Sequence, residues 1–99
     1  MYKHVFIGVI KEGVDDAKIN ERIEMMRAIK EEVPQVIGFA VGRNLGWLMP
    51  KDAIILTFNF NSREDLQAFI DCDAHQKVGA VAGEVFDMEA SMAFQIKLN

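Results

Sequence analysis

Residues 51–60, K-D-A-I-I-L-T-F-N-F, form the stretch that decides the fold. β-Branched and aromatic side chains dominate it, which predicts a β-strand. Both alternating sets of side chains are mainly apolar, so both sides of this strand must be covered. One set is Ile54, Leu56, Phe58 and Phe60, and the other is Ala53, Ile55, Thr57 and Asn59.

Three further stretches have strand patterns. Residues 2–10, Y-K-H-V-F-I-G-V-I, are again apolar on both sides, with His4 on the same side as Phe6. Residues 36–44, V-I-G-F-A-V-G-R-N, alternate large with small side chains and predict a strand with one flat face. Residues 85–98 alternate strictly between apolar and polar, which predicts a strand at the sheet edge with one face in water.

Helical patterns separate these strands. Asp15 or Asp16 can cap a first helix, in which apolar residues then recur every three or four positions. Ser62 starts a second helix with a capping box in which Asp65 replaces the usual glutamate. A third, short helix is predicted to be capped by Asp73. The predicted buried stripe of the first helix is Ile19, Ile23, Met26, either Ile29 or Lys30, and Val33.

The order of elements is strand, helix, strand, then strand, helix, strand. Two such halves predict a ferredoxin-like βαββαβ fold of the α+β class, a four-stranded antiparallel sheet with helices on one face only. We expect residues 1–99 to form a single domain. The other sheet face would be left bare although its strands are apolar, and stacking the sheets of two subunits would hide it. The sequence therefore predicts a homodimer.

The loop at residues 45–50, L-G-W-L-M-P, is unusually apolar. Trp47, Leu48 and Met49 stand where polar turn residues are normal, so we expect them to be covered. They would pack at the subunit interface or the domain edge, or form a mobile lid over a pocket. The sequence leaves these alternatives open.

Composition excludes several classes of protein. Hydrophobic residues make up 51% of the 99 residues, but no apolar run is long enough to span a membrane. The formal charge is -4 and no basic stripe is present, so binding to nucleic acid is not expected. Cys72 is the single cysteine, and no basic and apolar leader precedes the first strand. We expect a protein of the reducing cytoplasm, with Cys72 as a small buried hydrophobe.

Five motifs together resemble one family. They are K-H-V near the amino terminus, K-E-G-V before the first helix, V-G-R-N-L after the second strand, S-R-E-D-L-Q-A-F at the second helix and D-A-H-Q-K-V at the third. In this order and spacing they resemble the stress-responsive A/B barrel (Dabb) family of the dimeric α+β barrel superfamily. The resemblance covers nearly the whole chain. It implies a homodimer in which two four-stranded sheets close into an eight-stranded barrel with the helices outside.

The resemblance also draws attention to two histidines. One plant branch of the family consists of polyketide cyclases that need no metal or organic cofactor. There, a histidine matching His75 and a tyrosine on the preceding helix work in a pocket that a histidine matching His4 also lines. In this chain Phe69 stands at the position of the tyrosine, and Ala53 at that of another pocket histidine. Because phenylalanine has no hydroxyl, the same cyclisation mechanism does not carry over intact.

We expect His4 and His75 to line a small apolar pocket between sheet and helices, suited to a flat hydrophobic or phenolic molecule. If the site is catalytic, His75 would be the base and His4 a positioning donor. No local spacing of His, Cys, Asp or Glu indicates a metal site, and we expect no cofactor. The predicted lining of the pocket is Phe6, Ile23, Met26, Ala53, Ile55, Thr57 and Phe69.

Two functions remain open from the sequence. The first is a homodimer of the stress-responsive type that binds a small hydrophobic or phenolic ligand. The second is a cofactor-independent isomerase, polyketide-type cyclase or oxygenase that uses His75 as general base. A purely structural role, in which both imidazoles bond backbone groups, is the alternative to a functional one. Two imidazoles on one solvent-reachable cavity would favour the enzyme, whereas an imidazole sealed off among packed side chains would exclude it.

Overall fold

The computed structural model describes all 99 residues, which form one sheet, three α-helices and two short 3-10 turns. The 3-10 segments are Ala28–Glu32, which continues the first helix, and Ala82–Glu84. The principal elements in chain order are β1 (Tyr2–Val9), α1 (Asp16–Arg27), β2 (Ile37–Arg43), β3 (Ala53–Phe60), α2 (Arg63–Asp71), α3 (Asp73–Ala80) and β4 (Met92–Lys97).

The four strands lie in the order β2-β3-β1-β4, and each neighbouring pair is antiparallel. This is the ferredoxin-like α+β fold, so the predicted fold class is confirmed. In the register between β1 and β3, His4 lies opposite Phe58 and Phe6 opposite Leu56. On the other side of β1, His4 lies opposite Gln95 of β4. Residues directly opposite each other point to the same sheet face, so all five side chains face the helices.

The core lies between this sheet face and the helices. The even-numbered side chains of β3 are buried there, and the predicted stripe of the first helix is buried with Ile29, not Lys30, at its open position. Two predicted helix caps are confirmed: Asp15 accepts a hydrogen bond from the Lys18 backbone N–H (2.8 Å), and Ser62 accepts one from that of Asp65 (3.3 Å). Local capping and apolar periodicity therefore agree with the tertiary fold.

Two predictions about local structure were wrong. Cys72, not Asp73, caps α3, because its Sγ accepts the hydrogen bond of the His75 backbone N–H at 3.4 Å. The last strand covers only Met92–Lys97. Before it, Ser91 donates its hydroxyl to the Asp87 carbonyl (2.8 Å), and this turn replaces strand pairing.

Arg22 of α1 is buried, which the sequence pattern did not indicate. Its guanidinium donates to the Val81 carbonyl (3.0 Å) and to the Glu84 carboxylate (3.2 Å). Because a buried cation is costly unless it is paired, these contacts fix α1 against the segment that follows α3.

The second sheet face carries no helix, and we call it the open face. Its exposed members include Phe94 and Ile96, which are 50% and 52% exposed. The loop at residues 45–50 adds Trp47 and Leu48, which are 85% and 100% exposed. A patch of this kind is unusual on a monomer. The strand residues of the open face include Val5, Ile7, Val9, Ile55, Thr57, Met92, Phe94 and Ile96.

No helix of the chain has both the length and the apolar character that crossing a bilayer requires.

Candidate functional site

A cavity of about 380 Å³ lies between the helix-facing side of the sheet and α2 and α3. That volume falls in the range of small-molecule pockets. His4, His75 and Gln95 are the polar side chains among its sixteen lining residues, and none of the lining residues is an acid, a lysine or an arginine. Exposed Ile70 and Met88 lie with Gln95 at its rim. The cavity is therefore an apolar space with two imidazoles.

Local contacts position His75 at the start of α3. The Cys72 cap holds the His75 backbone N–H, and the Glu32 carboxylate accepts the N–H of Ala74 at 3.1 Å. The His75 ring places Nδ1 3.0 Å from the carbonyl oxygen of Ile70. A carbonyl can only accept, so this contact assigns the proton of the neutral ring to Nδ1. The Nε2 lone pair is then free to accept a hydrogen bond or a proton.

His4 sits in the middle of the sheet and is held by different partners. The side-chain amide nitrogen of Gln95 lies 3.1 Å from Nδ1 of His4. An amide N–H donates, so Nδ1 accepts and the proton of the neutral ring is assigned to Nε2. The ring also packs against Phe58 and Phe69, with centroid distances of 4.9 and 5.3 Å. His4 therefore offers a donor where His75 offers an acceptor.

Phe69 of α2 lies between the two imidazoles. Its ring centroid is 5.3 Å from that of His4 and 4.6 Å from that of His75. The side chain is almost fully buried and has no polar atom. The position that the family resemblance aligns with a cyclase tyrosine therefore supplies an apolar surface here, without a hydroxyl.

The structure brings five of the predicted site residues to one cavity. They are His4, Phe6, Met26, Phe69 and His75. Ile23 is buried in the core but does not line the cavity.

The prediction for Ala53, Ile55 and Thr57 was wrong, because the register places them on the open face. His4 is flanked instead by Phe58, which is on the opposite side of β3 from Thr57. A side chain at position 53 would point away from the cavity, so Ala53 does not mark the place of a pocket histidine.

Ile55 and Thr57 contribute to a different cleft. This cleft, of about 670 Å³, lies on the open face under the loop at residues 45–50 and is broad and shallow. Its single charged lining residue, Arg43, is held by the Asp52 and Asp16 carboxylates at 2.8 and 2.9 Å. Because Arg43 is already paired, the cleft offers apolar contact area but no free group for acid–base chemistry.

Gln95 is the site residue that the sequence did not indicate. The alternation of residues 85–98 placed it on a water-facing side, and Gln95 is exposed, but it also lies opposite His4 with its amide nitrogen 3.1 Å from Nδ1 of the ring. The other lining residues that were not predicted are Ile29, Leu56, Leu66, Ile70, Val78, Gly79, Ala82, Phe86, Met88 and Ala93. No group of three or more His, Cys, Asp or Glu side chains is arranged to hold a metal ion.

We expect His4 to make stability depend on pH. Burial, together with the nearby charge of His75, lowers the pKa of His4 from 6.5 to about 4. The unfolded chain then binds more protons than the folded one between these pH values, so stability is full above pH 6.5 and is lost as the pH falls. After allowance for solvent at the cavity, the loss should be about 2 kcal/mol.

Urea unfolding between about pH 7 and about pH 4.5 measures this loss. The His4→Gln variant, which cannot be protonated, provides the control because it retains every other titrating group. The wild-type protein should lose more stability than the variant over this range. Equal slopes would show that His4 is not the group responsible.

Comparison with known proteins agrees with this architecture. The family described as "Stress responsive A/B Barrel Domain" matches residues 2–95. A dimeric ferredoxin-like protein of unknown function from Thermobifida fusca superposes with a TM-score of 0.84 at 15% identity, covering 98% of this chain and 90% of that one. At3g17210 from Arabidopsis thaliana superposes with a TM-score of 0.77 at 22% identity, covering 100% of this chain and 96% of that one. The hydroxynitrile lyase of Passiflora edulis superposes with a TM-score of 0.80 at 13% identity, covering 99% of this chain and 93% of that one. No curated protein sequence is significantly similar to the chain.

Proposed function

Because the chain belongs to the stress responsive A/B barrel domain family, we propose that it is a homodimer that binds a small, flat hydrophobic or phenolic molecule in the His4–His75 cavity. The observation that carries this proposal is the cavity itself, an apolar space with a donor on one imidazole and an acceptor on the other. An apolar pocket with a few convergent polar groups is typical of small-molecule sites.

The homodimer is proposed from the open face. Met92, Phe94 and Ile96 of β4 and the loop residues Trp47 and Leu48 are all exposed. Lys3 is the one charged residue among the strand positions of this face. A second copy would cover the patch with an equally apolar surface, as two-fold symmetry allows. The solved dimeric ferredoxin-like proteins support this arrangement. The loop at residues 45–50 would then belong to the interface.

A second candidate function is cofactor-independent proton transfer. His4 is only 7% exposed, but its ring still lines the same cavity as His75, and this shared placement favours proton transfer. Nε2 of His75 would take a proton from a ligand hydroxyl or acidic carbon, and Nε2–H of His4 would stabilise the oxyanion that forms. Return of the proton to another atom of the same molecule completes an isomerisation without any co-reactant.

We also propose that the protein is located in the cytoplasm, and the single free cysteine, Cys72, supports this location.

Replacing His75 with alanine tests the site. We expect the variant to fold, because alanine suits a helix and the half-buried imidazole is not part of the core. It should bind meta-ethylphenol at least about tenfold more weakly than the wild type, since it lacks the acceptor and one wall of the cavity. Isothermal titration calorimetry gives the affinity, and the melting temperature verifies folding.

The matched control is Gln76→Ala. Gln76 also bonds the Ile70 carbonyl, at 2.9 Å, but does not line the cavity. This variant should retain wild-type affinity. Undiminished binding of meta-ethylphenol by the His75→Ala protein would reject the assignment of the site.

A further inference from the structure

Gln95 is the one hydrogen-bonding partner of the His4 ring. Antiparallel pairing of β1 with β4 places the two residues directly opposite each other on the helix-facing side. The two aromatic rings that pack against His4 belong to Phe58 and Phe69, and neither ring can donate a hydrogen bond to Nδ1 or accept one from it. The tautomer of His4 therefore depends on what residue 95 presents to Nδ1.

The two imidazoles differ because their Nδ1 partners differ. Gln95 presents an N–H to His4, whereas the Ile70 carbonyl presents an oxygen to His75. We propose that Gln95 is a specificity-determining residue that fixes His4 as the Nε2–H tautomer, so that the cavity takes a neutral hydroxy-carbonyl compound on a flat apolar frame. The carbonyl oxygen accepts from His4 and the hydroxyl donates to His75. This inference rests on the proposed function, since it names the ligand class of the same cavity.

The surroundings select a neutral ligand. No charged side chain lines the cavity. Burial is the main reason that the pKa of His4 is lowered to about 4, so at neutral pH its ring is uncharged and has one donor and one acceptor. A carboxylate would therefore lose its hydration in the apolar cavity without gaining a cation. A carbonyl and a hydroxyl each gain a matched partner.

The test exchanges the donor on residue 95 for an acceptor. Gln95→Glu has nearly the same shape, but its carboxylate can only accept, so His4 must move its proton to Nδ1 and Nε2 becomes an acceptor. Nitrogen NMR shifts of the imidazole report the tautomer without any ligand. The measurement is made at about pH 7.5, where His4 stays neutral even beside a carboxylate. Gln35→Glu, an exposed site outside the cavity, controls for the added charge.

Two probes of matched shape give the specificity. meta-Hydroxyacetophenone carries both groups, whereas meta-ethylphenol lacks the carbonyl. Gln95→Glu should weaken binding of meta-hydroxyacetophenone by about tenfold and that of meta-ethylphenol by less than about twofold. Gln95→Met, which neither donates nor accepts strongly, should give mixed tautomers and an intermediate affinity. The Gln35→Glu protein should match the wild type with both probes.

Each outcome decides between the alternatives. A wild-type His4 protonated at Nδ1, or an equal effect of Gln95→Glu on both probes, overturns the inference while leaving the proposed function intact. If neither probe binds the wild-type protein, the proposed function fails and the ligand class fails with it. In that case the imidazole shifts still decide whether Gln95 controls the tautomer.

Discussion

Replacing Phe94 with glutamate is expected to separate the proposed homodimer into monomers. Phe94 lies on β4 in the open face and is half exposed in the single subunit, so the monomer should accept the change. In the dimer, two-fold symmetry would bury two unpaired carboxylates against apolar side chains. At about 2 kcal/mol each, the dissociation constant should rise on the order of a thousandfold.

Sedimentation velocity at micromolar concentration measures this effect. The wild-type protein should sediment as a dimer and the Phe94→Glu protein as a monomer. Phe94→Leu, which keeps the apolar contact, and Ala80→Glu, which adds the same charge on exposed α3, should both remain dimeric. A dimer that is unchanged by Phe94→Glu would show that the interface lies elsewhere.

Replacing Phe58 with alanine is expected to be the most destabilising single change in the core. Phe58 is fully buried in β3, and its ring lies 4.6 to 6.1 Å from the rings of His4, Phe39, Phe60 and Phe69. Its removal leaves a cavity that four aromatic neighbours cannot all collapse to fill. The free energy of unfolding should fall by about 3 to 5 kcal/mol.

Urea denaturation at a fixed protein concentration gives this value, because unfolding of a dimer depends on concentration. Phe58→Leu, which keeps most of the apolar volume, should be less destabilising. The midpoint should fall without a change in slope if the native surface is preserved. A loss under about 1 kcal/mol would contradict the central position of Phe58 in the core.

The fold could be predicted from the sequence because each local signal agrees with the global one. The β-branched and aromatic composition of residues 51–60, the helical stripe that contains Ile19 and Met26, and the Ser62 cap all identify elements that the structure contains. The order of these elements then leaves few arrangements. The last strand was predicted too long because alternation alone does not reveal the hydrogen bonds of Asp87 and Ser91.

The site could be predicted only in part. His4 and His75 were identified by residue type and by family resemblance, and they do line one cavity. The partner strand was assigned to the wrong side because β3 is apolar on both sides, so its pattern does not reveal which side faces His4. Only the register decides this, and it pairs His4 with Phe58. Gln95 was missed because the alternation of residues 85–98 placed it on a water-facing side, and only the register shows that it lies opposite His4.

The geometry also connects the two proposed functions. A ligand held between the donor of His4 and the acceptor of His75 is already placed for proton transfer, so binding and catalysis would use the same contacts. The family resemblance aligns Phe69 with the tyrosine of the plant cyclases, and phenylalanine lacks the hydroxyl of that proton donor. Any reaction in this cavity would therefore rely on two imidazoles with opposite roles.

The central claim, that the cavity between sheet and helices is the ligand site, is tested most directly by a proton–nitrogen correlation NMR titration of the wild-type protein with meta-ethylphenol. We predict saturable shifts at His4, Phe69 and His75 and at neighbouring residues of the cavity. No saturable shift, or shifts confined to Ile55, Thr57 and the loop at residues 45–50, would contradict it.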